Sequence, residues 1–312
     1  MKSSGFWVLL AMFAGALLAL QARVNSELAV ELGDGVAAAL VSFLAGLAIL
    51  IPLSIFVPGA RAGFRSLRAS LRGGMPWWHC LGGVIGAFVV STQGIAAGVL
   101  GIAVYTVGIV AGQTISGVLV DRFGFASLPK RAISLQRILG AILTLLAVSL
   151  ALLGGGAIAH PLLMLLPFIA GLLVSIQQAL NGEVQRASGS VIASTALNFT
   201  LGTIALALFV VVRVLGGLEL DPLPLQPLLY LGGIIGAMFV GVAALAVRHI
   251  GVLLLGLAMI SGQLLAALLV DLVWPSALHS GVTTASVVGA LLALLGVIAS
   301  SVRRRRPPQP LV

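Results

Sequence analysis

Two short polar runs interrupt an otherwise apolar chain. The first, QARVNSEL, places Gln21 four residues before Asn25, with Glu27 two further on; the second, QQALNGEV, repeats the pattern as Gln177, Asn181 and Glu183 at an offset of 156. Residues four apart share a helix face, so each run presents paired carboxamides on one stripe. A carboxamide both donates and accepts hydrogen bonds without carrying charge. In an apolar phase it is costly unless satisfied, so all four must face other helices or water. Two chemistries fit: a polar lining for a central solute cavity, or hydrogen bonds between helices that only fix packing. Gln178 and Asn198, close to the second run, share that pair of readings. So do Gln93, Gln113 and Gln263, which lie within long apolar stretches, and Tyr105, whose hydroxyl needs a partner if buried. Glu27 and Glu183 are candidates for coupling, as carboxylates that accept a proton or pair with a cation. The alternative for each is a solvated cap or an ion pair, Arg186 being near Glu183. Proton use would require a carboxyl pKa raised by burial. Arg23 is expected to snorkel outward, with anion recognition as the other reading. Asp121 and Asp271 read as interfacial caps, Trp77 and Trp78 as interfacial anchors.

The elements that position these groups follow from composition. Of 312 residues, 60% are hydrophobic and 8% charged, against about 25% charged in a soluble domain. Mean hydropathy is +1.20. So few charges leave much of the surface to lipid, and the class is a polytopic membrane protein. Apolar runs of about 20 residues favour helices over barrel strands, and helices satisfy their backbone internally. Ten spans are predicted, near 5–25, 36–57, 78–99, 101–120, 134–154, 161–181, 191–212, 228–247, 250–270 and 281–301. The run Phe6–Leu20 behind Lys2 imitates a signal peptide, but its internal counterpart argues for a retained span. A single cysteine, Cys80, excludes an intrachain disulfide, and the four histidines lack zinc-type spacing. There is no nucleotide-binding loop and no convincing nucleophile–base pair, so neither an enzyme nor a bound metal or cofactor is expected.

Charge orients the spans. With both termini inside, 15 of the 17 lysines and arginines fall on the inner side, leaving Arg23 and Arg213 outside. This is the bias of cytoplasmic loops. The arginines flank spans in short groups without aromatic platforms, which argues against nucleic-acid binding. The tail at 303–312, RRRRPPQPLV, is expected to anchor the last span and touch anionic lipid.

The polar signature belongs to a longer repeat. VSFLAG, with Phe43 and Gly46, matches LNFTLG, with Phe199 and Gly202; GGVIGAFVV from Gly82 matches GGIIGAMFV from Gly232. AGQTISGVLVD, ending at Asp121, matches SGQLLAALLVD, ending at Asp271. Two halves of five spans, 1–156 and 157–302, must enter the membrane in opposite senses. Inverted repeats of this kind recur in secondary transporters, with solute bound at the repeat interface. The paired Gln-x-x-x-Asn, with Phe-x-x-Gly downstream, resembles the YdcZ-like branch of the drug/metabolite transporter (EamA-like) superfamily over about residues 5 to 300. That resemblance implies ten helices in two inverted five-helix repeats, a bacterial inner membrane and transport of small molecules. The expected function is a secondary transporter of a small solute or metabolite by alternating access, an exporter coupled to an ion gradient. The alternative is a non-transporting membrane scaffold with the same fold. Expected partners are the solute, membrane lipid and a second copy of the chain as a homodimer.

Overall fold

The computed structural model describes residues 2–123, 161–275 and 282–301, with 138–139, 142–143 and 146 as isolated helical positions. Apart from those isolated positions, the expected fifth span, 134–154, lies outside the described residues, as does the basic tail.

The described chain is an all-α, largely apolar bundle. Helix α1 spans Lys2–Glu31 and α2 spans Gly35–Phe56. Between them Asp34 accepts hydrogen bonds from Val36 N at 3.0 Å and Ala37 N at 2.8 Å, capping α2; the cap satisfies N–H groups that a helix start otherwise leaves orphaned. Helix α3, Pro58–Arg72, was not expected: the sequence reads there as a basic loop. It is amphipathic, and Pro58 sits in its first turn, where a missing N–H costs nothing.

The third expected span is composite. A 3₁₀ turn, Trp77–Leu81, leads into α4, Gly82–Thr92. A π turn at Gln93–Ala97 and a short helix, Gly98–Leu100, complete it. Gly101, at φ 81°, then breaks the run before α5, Ile102–Phe123. Only glycine takes that conformation without strain. Helix α6, Leu165–Ser188, ends at Gly189 in the left-handed region, and α7, Val191–Leu215, follows behind the Ser190 cap.

Expected spans eight and nine form one helical run, α8, Leu231–Val273. It is not straight. Gly236 meets Gln21 while Gly262 meets Met12. Those α1 positions are about 14 Å apart, whereas a straight helix would put the two glycines about 39 Å apart. Ala246 and Met259 also share one cluster with Ala11 and Ala14. The first arm of α8 therefore runs antiparallel to α1 and the second returns parallel to it. Helix α9, Thr284–Ser301, closes the described chain.

Among the described residues, six helical stretches are long and apolar enough to cross a membrane: Gly5–Glu31, Gly35–Phe56, Trp77–Leu100, Ile102–Val120, Leu165–Ser188 and Val191–Leu215. Leucines and phenylalanines such as Phe56, Leu208 and Leu269 are exposed around the outside, a surface suited to lipid rather than water.

Candidate functional site

The two signatures build two similar polar clusters. In the first, Asn25 Nδ2 donates to Gln93 Oε1 at 2.6 Å. Gly232 of α8 approaches so closely that a methyl group there would overlap Asn25 Oδ1 and stand 2.9 Å from Ser42 Oγ. One turn on, a methyl at Gly236 would stand 2.6 Å from Gln21 Nε2. In the second cluster Asn198 Nδ2 donates to Asn181 Oδ1 at 2.8 Å. Gly82 of α4 lies against Asn181, and a methyl at Gly86 would stand 2.5 Å from Gln177 Nε2. The short stripes Gly82/Gly86 and Gly232/Gly236 thus receive carboxamides where larger residues would collide. Close backbone approach of this kind is the usual role of small residues in membrane bundles.

The matching extends past the amides. A methyl at Gly15 would meet Gln263 N at 2.9 Å, and one at Gly171 would meet Gln113 N at 3.0 Å. Helix α1 therefore packs on both arms of α8, as α6 packs on α4 and α5. Between the clusters, Phe43 and Phe199 face each other with ring centroids 4.8 Å apart. A methyl at Gly46 would overlap Phe199, and one at Gly202 would overlap Phe43. The Phe-x-x-Gly signature is explained here: each phenylalanine rests on the glycine of the other copy of the motif.

The clusters differ in burial. Gln21, Asn25, Ser42 and Gln93 are all buried, Asn25 completely. Asn25 Oδ1 and Ser42 Oγ have no hydrogen-bond partner. Gln177, Asn181 and Asn198 are only half-buried. Beyond Asn181 a cleft of about 470 Å³ opens, lined by Ser70, Met75, Pro76, His79, Glu183, Arg186 and Ala187. His79 is buried there with its Nδ1 unpartnered.

The remaining candidates fall elsewhere. Gln178 is exposed, one step round the helix from Gln177. Gln113 and Gln263 mark the glycine crossings, away from both amide clusters; the Gln113 carbonyl accepts from Ser175 Oγ at 3.2 Å. Tyr105 is buried with its hydroxyl 2.9 Å from Thr92 Oγ1. Glu27 lies 2.5 Å from Arg23, and Glu183 pairs with Arg186. Ser42, Phe43 and Phe199 were not read as site residues. Their positions in matched motifs were the available signal.

Arg23 departs from expectation. It does not snorkel outward but is 1% exposed. Its Nη2 donates to the Pro275 carbonyl at 2.7 Å, and its guanidinium lies 5.3 Å from the Trp274 ring. Glu27, the carbonyl and the ring face offset part of the desolvation, while Nε and Nη1 are buried without a hydrogen-bond partner. Asp271 nearby accepts from Ile102 N at 2.8 Å and Ala103 N at 2.7 Å. It caps α5 across 169 residues of sequence, a different helix from its own. At the same end Arg213 donates to Asp34 at 2.6 Å. The side chain of Asp121 lies outside the described residues. Among the described residues no group of three or more His, Cys, Asp or Glu side chains is gathered as for a metal.

Long apolar helices, close glycine crossings and interior carboxamides define a multi-pass helical membrane protein. The chain matches, over residues 6–150 and 162–299, the family described as "Putative inner membrane exporter, YdcZ". It belongs to that family of the drug/metabolite transporter group, and so to a family of inner-membrane transporters rather than enzymes. Six solved chains match its fold. One crystal structure superimposes with a TM-score of 0.54 at 18% identity, covering 96% of this chain and 97% of the other. No curated protein matches the chain.

Proposed function

We propose that the protein is a secondary transporter with ten spans in two inverted five-helix repeats, exporting a small solute by alternating access. The observation that carries this reading is the unequal burial of two amide clusters built on the same Gln-x-x-x-Asn motif. Lysine and arginine placement puts the Gln21 end outside and the Gln177 end inside. The outer cluster is then sealed and the inner one open, as one state of an alternating pair. In the other state the burial exchanges. Matched crossings of α1 on α8 and of α6 on α4 and α5 support two interchangeable arrangements.

The outer seal consists of Arg23 with Glu27 and Pro275, Asp271 on α5, and Arg213 with Asp34. The Phe43–Phe199 pair fills the centre in this state and must separate for solute to pass. Neutral amides beside phenyl rings suit an uncharged solute with an apolar body and a few hydrogen-bonding groups. Glu183 is the better placed coupling carboxylate, being buried and lining the inner cleft. An inward ion gradient coupled through this carboxylate, which pairs with Arg186, would drive export.

Single cysteines at Gln21 and Gln177, in a Cys80→Ser background, test this. In the absence of a gradient the Gln177→Cys protein reacts from inside and the Gln21→Cys protein is protected. A gradient with solute raises labelling at position 21 from outside. Cysteines at Ser66 and Gly217 should label from opposite faces. Unchanging accessibility under every gradient and solute would instead indicate a non-transporting scaffold, and labelling of Ser66 and Gly217 from one face would remove the inverted repeat.

A further inference from the structure

The structure assigns α3 as a seat for the phosphate of an anionic phospholipid, against the inner mouth of the bundle. Arg61, Arg65, Arg68 and Arg72 recur at intervals of four, three and four. At about 100° per residue this confines them to roughly 60° of arc, and all four are exposed. Helix α3 carries no acidic residue. Among the described residues none of the four guanidiniums meets a carboxylate. Among the described residues the stripe is therefore positive charge without an internal counterion.

The far side of the helix is already occupied. Ala60, Gly63 and Leu67 are buried, and a methyl at Gly63 would stand 2.5 Å from Ser190 Cβ and 3.0 Å from Ala193 Cβ. The helix is thus fixed in rotation, with its arginines aimed away from the protein. Pro58, Arg61, Phe64 and Arg65 line a cleft of about 550 Å³. Two guanidiniums beside a phenyl ring and a proline match a phosphodiester with an apolar stem. A guanidinium fork binds phosphate oxygens bidentately. Exposed Trp77 and Trp78 follow α3 after a glycine turn. Such aromatics lie at headgroup level, which places the stripe there too.

The consequence for the bundle is mechanical. The buried side of α3 rests on the α6–α7 corner, whose Glu183 and Arg186 line the inner cleft. Lipid held on the arginine side braces that corner. This inference rests on the inward placement of α3, but it does not require transport, so its test is a binding measurement. The purified full chain is titrated with phosphatidylglycerol and, separately, phosphatidylcholine, and retained lipid is counted by native mass spectrometry.

Wild type should retain phosphatidylglycerol with an affinity about tenfold or more above that for phosphatidylcholine. Arg61→Gln/Arg65→Gln should lower phosphatidylglycerol affinity about 30-fold, near fivefold per guanidinium, and leave phosphatidylcholine unchanged. Arg61→Lys/Arg65→Lys should recover only part of the loss, since lysine keeps the charge but not the bidentate fork. Equal retention of both lipids by wild type overturns the assignment whether or not any variant folds. Displacement of phosphatidylglycerol by millimolar inorganic phosphate would identify a free-anion seat and also overturn it; failure to displace supports the lipid.

Discussion

The two amide clusters begin with the same Gln-x-x-x-Asn and end differently. Asn25 is held by Gln93 from the third span, with Ser42 beside it, and all three are buried. Asn181 is held by Asn198 from the helix after it, and its surroundings stay half open. The residue repeating Gln93 is Ala243, and the one repeating Asn198 is Ser42. Each cluster therefore recruits its partner amide from a different direction. A duplicated frame with unequal partners can favour one closed end over the other. In the proposed alternating cycle the bias must be modest, because a state held too firmly would not exchange.

The comparison can be broken most severely at the glycines that both clusters need. Methyl groups at Gly83 and Gly233 would overlap the carbonyls of Asn198 and Ser42, which are backbone and cannot swing aside. Gly83→Val and Gly233→Val should each cost more than about 3 kcal/mol, seen as loss of monodisperse protein in detergent. Asp271→Ala leaves the N–H groups of Ile102 and Ala103 without their acceptor and should cost about 2–3 kcal/mol. It should lower the thermal midpoint and expose the Gln21→Cys site from outside, whereas Asp271→Asn keeps one acceptor and part of the seal. Asn25→Ala should cost about 2 kcal/mol and Asn181→Ala about 1, since only the first strands a fully buried partner; equal losses would remove the sealed-versus-open distinction. Finally, a double-mutant cycle of Phe43→Leu and Phe199→Leu should give a coupling of about 1 kcal/mol. Additive effects would mean that the rings do not act as a central pair.

Six apolar spans and the polar stripes were legible because hydropathy and four-residue spacing are local. Gln21 with Asn25 and Gln177 with Asn181 each lie on one face as the spacing requires. Two further features could have been read and were not. Helix α3 was passed over as a loop because its signal is the spacing of arginines and not apolarity. Phe43 and Phe199 carried a repeat without a visible reason, since the reason is a glycine on the other copy. Arg23 was beyond reach, because Trp274 and Pro275 lie some 250 residues away and nothing local announces them. Gln178 resembles Gln177 in sequence, yet 100° of helix rotation separates an interior amide from an exterior one.

The crossing of α1 on α8 bears on how the chain is made. Gly232 is translated about 200 residues after Asn25, a wait of roughly 10–40 s at ordinary elongation rates. Through that interval the first carboxamides have Ser42 and Gln93 but lack the α8 glycines that seat them, while α6 finds α4 and α5 already synthesised. Assembly is therefore lopsided in time although the two signatures match. A ribosome pause or slow insertion before residue 232 should harm the first signature and spare the second.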